Sequence, residues 1–506
     1  MTYQKQYIIA TIFALVAAVS LMTHSDYLYA LQEQSLFVKG HTFMLTALHH
    51  NGGLWTWIGC YLTQFFYYPW LGTLMLILIW LLTFFCLVDA LRLKGYWTAI
   101  ALLPSAIQLF SVLSLGYWLY YCKQPGFAFA QAVSIFAGSF LAFAANRAVS
   151  YFLGRSTRKL VTAKVQQAIY VLCTAVALLC VCPVFKVYAW TLPDKTFHAE
   201  MKMYRAIDEC RWDDVLDEAK NYEQPTNLMV MYKNIALMHT NRLTDMFKTN
   251  NCGTLPNTPD SLKIHISQLA APMLYYQFGQ TNYAYRWAIE NSVEYGMTIN
   301  NLKILTRCAI INQEFDVARK YISLLRATAF HAKWANQQEE LMYHSSNLMR
   351  SEEFQNIAPL LNDDVNQLDT DGGLCEKWLL DHFSDLAYPT SPKLEDVTMC
   401  AALWNEDAYS FCIHFYNYVK RHPNASIPPL YQEGAILLCT QEESPIELNG
   451  YEFDKFVSQR YNQFVRDYNE LAKLGLEGDE IGTRLKQAYG TTYWWYYYFY
   501  TDFKVY

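Results

Sequence analysis

Apolar residues follow two patterns along the chain, and the change of pattern divides it. Over the first 193 residues they form long unbroken runs. Beyond that they recur at three- and four-residue spacing. A helix that crosses a bilayer needs about 20 mostly apolar residues. Five stretches meet that need: 7–22, 70–91, 97–118, 127–148 and 165–190. Lys5 precedes the first run, as in a signal peptide, yet no small-x-small cleavage site follows and further runs do. The apolar segment from Leu54 to Leu91 is too long for one span. Pro69 should break it, because proline lacks the N–H and clashes with the preceding turn. Residues 54–68 (LWTWIGCYLTQFFYY) are therefore expected to form a helix in the membrane interface, where Trp and Tyr are favoured. A re-entrant segment is the alternative. Pro104 and Pro183 are expected to kink the third and fifth spans.

Residues 194–506 read as helical throughout. Met203 and Ile207, or Val317, Tyr321, Leu324 and Leu325, fall on one face of a helix. The prolines at 225, 272, 389, 392, 423 and 428 lie between such segments. A degenerate repeat runs through this part. Cys210-Arg211-Trp212-Asp213, Asn241-Arg242-Leu243-Thr244, Gly279-Gln280-Thr281-Asn282 and Asn312-Gln313-Glu314-Phe315 each separate two apolar helices. Their offsets are 31, 38 and 33 residues, close to the period of about 34 of tetratricopeptide helix pairs. Trp404-Asn405-Glu406-Asp407 reads as a later copy. The expected fold is all-α: a five-span transmembrane domain over 1–193, then a tetratricopeptide-like α-solenoid over 194–506.

Charge sharpens this division. Residues 1–193 hold 11 Lys/Arg and 3 Asp/Glu, whereas residues 194–506 hold 28 and 42. So low a charge density over the first part excludes an ordinary soluble domain there. The acidic second part argues against nucleic acid as a partner, since phosphate binding needs Lys and Arg. With the N-terminus in the cytoplasm, that side carries Lys5, Arg92, Lys94, Arg147, Arg155, Arg158, Lys159 and Lys164. The other side carries Lys39, Lys123 and Lys186. This bias predicts a multi-pass bacterial inner-membrane protein with residues 191–506 in the periplasm. Within the spans, Asp89 and Lys186 sit near the ends, and Gln108 and Gln131 are explained by interhelical hydrogen bonds. An ion-coupled transporter is therefore not the reading.

Several segments carry a family resemblance. They include Thr63-Gln64-Phe65-Phe66-Tyr67-Tyr68-Pro69, Asn234-Ile235-Ala236-Leu237 with Asp245-Met246-Phe247, and Gly279-Gln280-Thr281-Asn282 with Tyr285-Arg286-Trp287-Ala288. Asn312-Gln313-Glu314-Phe315-Asp316-Val317-Ala318-Arg319, with Phe330 and Lys333-Trp334-Ala335, is another. Together they resemble an uncharacterised family of inner-membrane proteins from Bacteroidales. The resemblance implies a membrane anchor with a tetratricopeptide-like helical C-terminal domain, and no activity comes with it.

Candidate chemistry is sparse. Of 13 cysteines none falls in C-x-x-C or zinc spacing, and most occupy apolar helical positions, as buried free thiols do. The seven in the soluble part are Cys210, Cys252, Cys308, Cys375, Cys400, Cys412 and Cys439. His41, His49 and His50 share the first external loop with Asp26 and Glu33. Imidazole and carboxylate suit a divalent cation, but the spacing fits no template, and scattered polar residues on an interfacial loop are the plainer reading. Asp26, four residues after Met22, stands where transferases that use lipid-phosphate sugars place an acid. There it would act as general base, with Glu33 as helper. The plainer reading makes Asp26 the cap of the next helix. Gly52-Gly53 is a turn and no phosphate-cradling loop occurs, so no cofactor is expected. The run Tyr493, Trp494, Trp495, Tyr496, Tyr497 and Tyr498 either caps the solenoid or meets the membrane or a partner. The expected function is a membrane-anchored periplasmic scaffold or assembly factor that touches membrane lipid and binds an envelope protein. The alternative is a polytopic transferase acting on a polyprenyl-phosphate sugar.

Overall fold

A computed structural model describes residues 2–49, 52–113, 126–152, 195–222, 225–247, 270–343, 345–368, 382–423, 425–440 and 451–499. Among them the protein is all-α, with no β-strand. It divides into two compact units. The first comprises residues 1–201, 291–306 and 316–339, and the second comprises 202–290, 307–315 and 340–506.

The first unit opens with α1 (Thr2–Met22), α2 (Ser25–Glu33), α3 (His41–His49) and α4 (Leu54–Thr63). It continues through α5 (Pro69–Ala90), α6 (Leu103–Leu113) and α7 (Phe127–Phe152). Three described helices are long and apolar enough to cross a membrane: Lys5–Met22, Pro69–Ala90 and Phe127–Ala148. α1 is built the reverse way to a water-soluble helix. On α1 the buried positions are Ala10, Ala17 and Leu21, while Ile8, Ile12, Leu15 and Val19 face outward. Small residues let helices approach, and large apolar ones remain for lipid.

The third expected span, 97–118, departs from one regular helix. Gly95–Leu102 is 3₁₀, and α6 starts only at Leu103. Pro104 thus opens a helix and does not kink one, because its missing N–H costs nothing in the first turn. Residues 114–118, the fifth expected span at 165–190 and Pro183 lie outside the described residues. Pro69 stands at the first positions of α5, as a break there requires. The 54–68 helix ends earlier than expected. α4 closes at Thr63, a 3₁₀ turn covers Gln64–Tyr67, and Tyr68 is extended at φ −106° and ψ 96°. A residue before proline is pushed out of the helical region in this way.

Some polar groups inside this unit find partners on neighbouring helices. Trp80 Nε1 donates to Gln108 Oε1 at 2.6 Å, which is the interhelical bond expected of Gln108. Gln131, by contrast, faces outward. Asp89 pairs with Arg147 at 3.1 Å, and Asn146 Nδ2 reaches the last carbonyls of α5 at Asp89 and Ala90.

In the second unit one turn recurs. Cys210, Asn241, Gly279, Gln313 and Glu406 all have positive φ, between 54° and 80°. The residue after each donates its N–H back to the carbonyl five earlier. The pairs are Arg211 to Ala206, Arg242 to Leu237, Gln280 to Tyr275, Glu314 to Ala309 and Asp407 to Ala402, at 2.7–2.9 Å. The positive-φ residue itself bonds the carbonyl three earlier. This is a Schellman closure, which satisfies the helix's last carbonyls and reverses the chain. The first four positions are 31, 38 and 34 residues apart, and they are the turns that the sequence repeat marks. Arg92 and Gly475 end helices by the same pattern. The closure is therefore general, and its regular spacing makes the repeat. After the last copy Asp407 caps the next helix, accepting from Ser410 N at 3.0 Å. One turn thus ends a helix and starts another.

Candidate functional site

The segment joining α1 to α5 holds the candidate acids and histidines. Two residues separate the end of α1 from the start of α2. Asp26 lies inside its first turn, where a negative charge meets the positive end of the helix dipole. The capping position belongs to His24, so Asp26 is not the cap. Tyr27 is fully buried and its hydroxyl donates to Val112 O at 2.7 Å. The His24 ring lies 4.2 Å from that of His198, and Tyr27 meets Phe197 and His198 edge-on. His24 Nδ1 faces Ser20 O at 2.9 Å, and a carbonyl there makes it the donor.

Glu33, two turns along α2, is sealed. Its Oε1 accepts from Lys303 Nζ at 3.0 Å, and both side chains are buried. Tyr29 and Trp334 place their rings about the same ammonium, 5.9 and 6.0 Å away. Gln32 Nε2 donates to His331 Nε2 at 2.7 Å. Ala329 N donates to Gln64 Oε1 at 2.8 Å, and Ile299 N donates to Ser35 O. Phe330 enters an aromatic nest of Phe65, Tyr67 and Tyr68 and stacks on Tyr67. The segment after α1 is therefore a platform on which residues 299–306 and 328–334 rest. Asp26 and Glu33 do not converge: one is half-buried near the end of α1, the other is committed to a lysine.

The histidines do not converge either. His41 and His49 are exposed at opposite ends of α3, about 12 Å apart by helix rise. His49 Nδ1 bonds Leu45 O at 2.7 Å. No group of three His, Cys, Asp or Glu suited to a metal occurs among the described residues, and His50 lies outside them.

The terminal aromatic run forms a helix, Tyr493–Phe499, whose first four rings are interior. The Tyr493 hydroxyl donates to Leu403 O, its N–H donates to Glu433 Oε2, and Trp495 Nε1 donates to Gly482 O. Only Tyr497 and Tyr498 of the six candidates reach the surface.

Two clusters in the second unit carried no sequence signal. Arg307, fully buried, is gripped by Asp208 at 2.9 Å and Glu353 at 2.6 Å, which hold its guanidinium charged. His239 stacks on Trp212 and bonds Gln277 Oε1 at 2.9 Å through Nε2. Its Nδ1 faces Lys393 Nζ at 3.5 Å. Burial, with the Lys393 charge beside it, pulls this imidazole from 6.5 down to about 3. The partners of these groups are distant in sequence, so no local pattern could reveal them.

Cys412 and Cys439 form a disulfide. Cys210, Cys308 and Cys400 are free, and burial raises all three thiols, that of Cys210 to about 12. Such thiols are inert as nucleophiles. Cys122, Cys173, Cys180, Cys182, Cys252 and Cys375 lie outside the described residues.

A model for a family of unknown function, DUF6057, matches residues 2–122 and 110–500. No curated protein and no solved structure matches the chain.

Proposed function

The chain belongs to this family, and on that footing we propose that it is a membrane-anchored scaffold or assembly factor of the bacterial envelope. In this reading residues 194–506 lie in the periplasm and bind a protein partner through a helical-repeat surface. The recurring helix–Schellman turn–helix unit carries the reading, because stacked helix pairs expose extended surfaces suited to peptides and proteins. Two further observations support it. The Cys412–Cys439 disulfide suits an oxidising compartment. Glu33, the helper acid of the transferase reading, is committed to a buried pair with Lys303.

The test is gentle purification from native membranes with mass spectrometry of co-purifying proteins and lipids. A protein at fixed stoichiometry is the expected result. A polyprenyl-phosphate lipid with no protein partner overturns it in favour of a transferase. Half-buried Asp26, in the first turn of the helix after α1, is the observation on which that second reading stands. Asp26→Asn with unchanged envelope glycans removes it.

A further inference from the structure

Between Lys39 and Asp89 the chain has no Asp, Glu, Lys or Arg. α5 accounts for only the second half of that interval. The first half contains α3 and α4, which pack against each other, and α4 packs along α7. α4 is too short to cross a bilayer: ten residues span about 15 Å, half the hydrocarbon thickness.

Its surface nevertheless follows the pattern of α1. The buried face is small and polar: Thr56, Gly59, Cys60 and Thr63, at helical spacing. A Cβ at Gly59 would collide with the backbone of Gly126 and with Ala130, so the two helices touch almost backbone to backbone. Large residues face outward instead: Leu54, Trp55 and Tyr61 on α4, Leu45 and Leu48 on α3. In water this arrangement would expose a contiguous apolar patch with no charge to solubilise it. α7, against which α4 packs, likewise exposes large apolar residues at Phe140 and Leu141.

We infer that α3 and α4 form a hairpin embedded in one leaflet of the membrane, the leaflet at the N-terminal ends of α5 and α7, with acyl chains against Leu45, Leu48, Leu54 and Trp55. α3 and α4 are helical, so the backbone groups along them bond within each helix, as a lipid environment demands. Naming that leaflet the outer one rests on the topology proposed above, whereas insertion itself does not.

The experiment places a nitroxide label on a single cysteine at Leu48 or at Leu54 in the full chain, with the membrane cysteines replaced and the protein in vesicles. Labels at Leu78, outward on α5, and at Tyr409, exposed in the second unit, set the lipid and water references. The expected result is relaxation by oxygen and loss of relaxation by a water-soluble nickel chelate, as at Leu78. Relaxation by the chelate as strong as at Tyr409 overturns the inference. A third label at Leu45 settles the matter if one site disturbs folding. Chelate supplied to one side of the vesicles, together with a label at Lys39, reports sidedness separately. Lys39 on the cytoplasmic side would overturn the topology and leave the insertion result intact.

Discussion

Glu33 and Lys303 are both nearly removed from water, so each charge depends on the other. Breaking a buried pair is costly because it strands the remaining charge, at about 3–5 kcal/mol. Lys303→Met alone should therefore lower the thermal stability of the detergent-solubilised chain sharply. Adding Glu33→Leu should recover most of the loss, and equal melting temperatures for the single and double variants would contradict the pairing. His239 offers a second test, with its sign fixed by burial. The folded imidazole titrates near 3 and the unfolded one near 6.5, so the unfolded chain binds the extra proton between those values. Stability contributed by the neutral ring is complete above 6.5 and declines as pH falls towards 3. Between pH 6.5 and 5 the loss should be about 2 kcal/mol. His414 is also depressed by burial and acts in the same direction. Denaturant titrations should show this slope flatten in His239→Gln.

At the level of elements, the turns decide what the sequence discloses. A Schellman closure is local: a positive-φ residue, the residue after it and the preceding helical turn define it. That is why the motifs at 210, 241, 279 and 312, with the later copy at 404, were legible in the sequence. Of the five positive-φ residues only Gly279 is a glycine. There a Cβ would also strike Leu360. Gly279→Ala should thus destabilise by more than the conformational strain of about 1 kcal/mol. Gln313→Gly relieves such strain and should be neutral or stabilising in the same unfolding assay. The long apolar helices α1, α5 and α7 were legible for a similar reason, since length and hydropathy are read along the chain. The 3₁₀ stretch before α6 was not, because nothing in residues 95–102 separates it from the apolar helix that follows.

On the scale of the whole molecule, the contacts that matter most join residues far apart in sequence. Residues 291–306 and 316–339 group with the long apolar helices of the first unit although they lie within the repeat region. Periodicity gives their helical faces but not the surface each face meets. The platform on α2 was equally hidden, because Asp26 and Glu33 look alike in sequence and differ only in what surrounds them. A fragment of residues 202–506 keeps Lys303, Phe330 and His331 but removes their partners. Limited proteolysis should cut it within 291–306 and 316–339, at sites protected in the full chain. Equal protection in both would mean that these helices do not depend on the first unit.

The Glu33–Lys303 pair also bears on how the chain is made. The partners are 270 residues apart. At roughly 5–20 residues per second, Lys303 emerges from the ribosome about 15–50 s after Glu33. Throughout that interval Glu33 waits for Lys303, the ammonium it is buried with. The long apolar helices can form early, but the platform beside them closes late, when the growing chain returns to its own beginning.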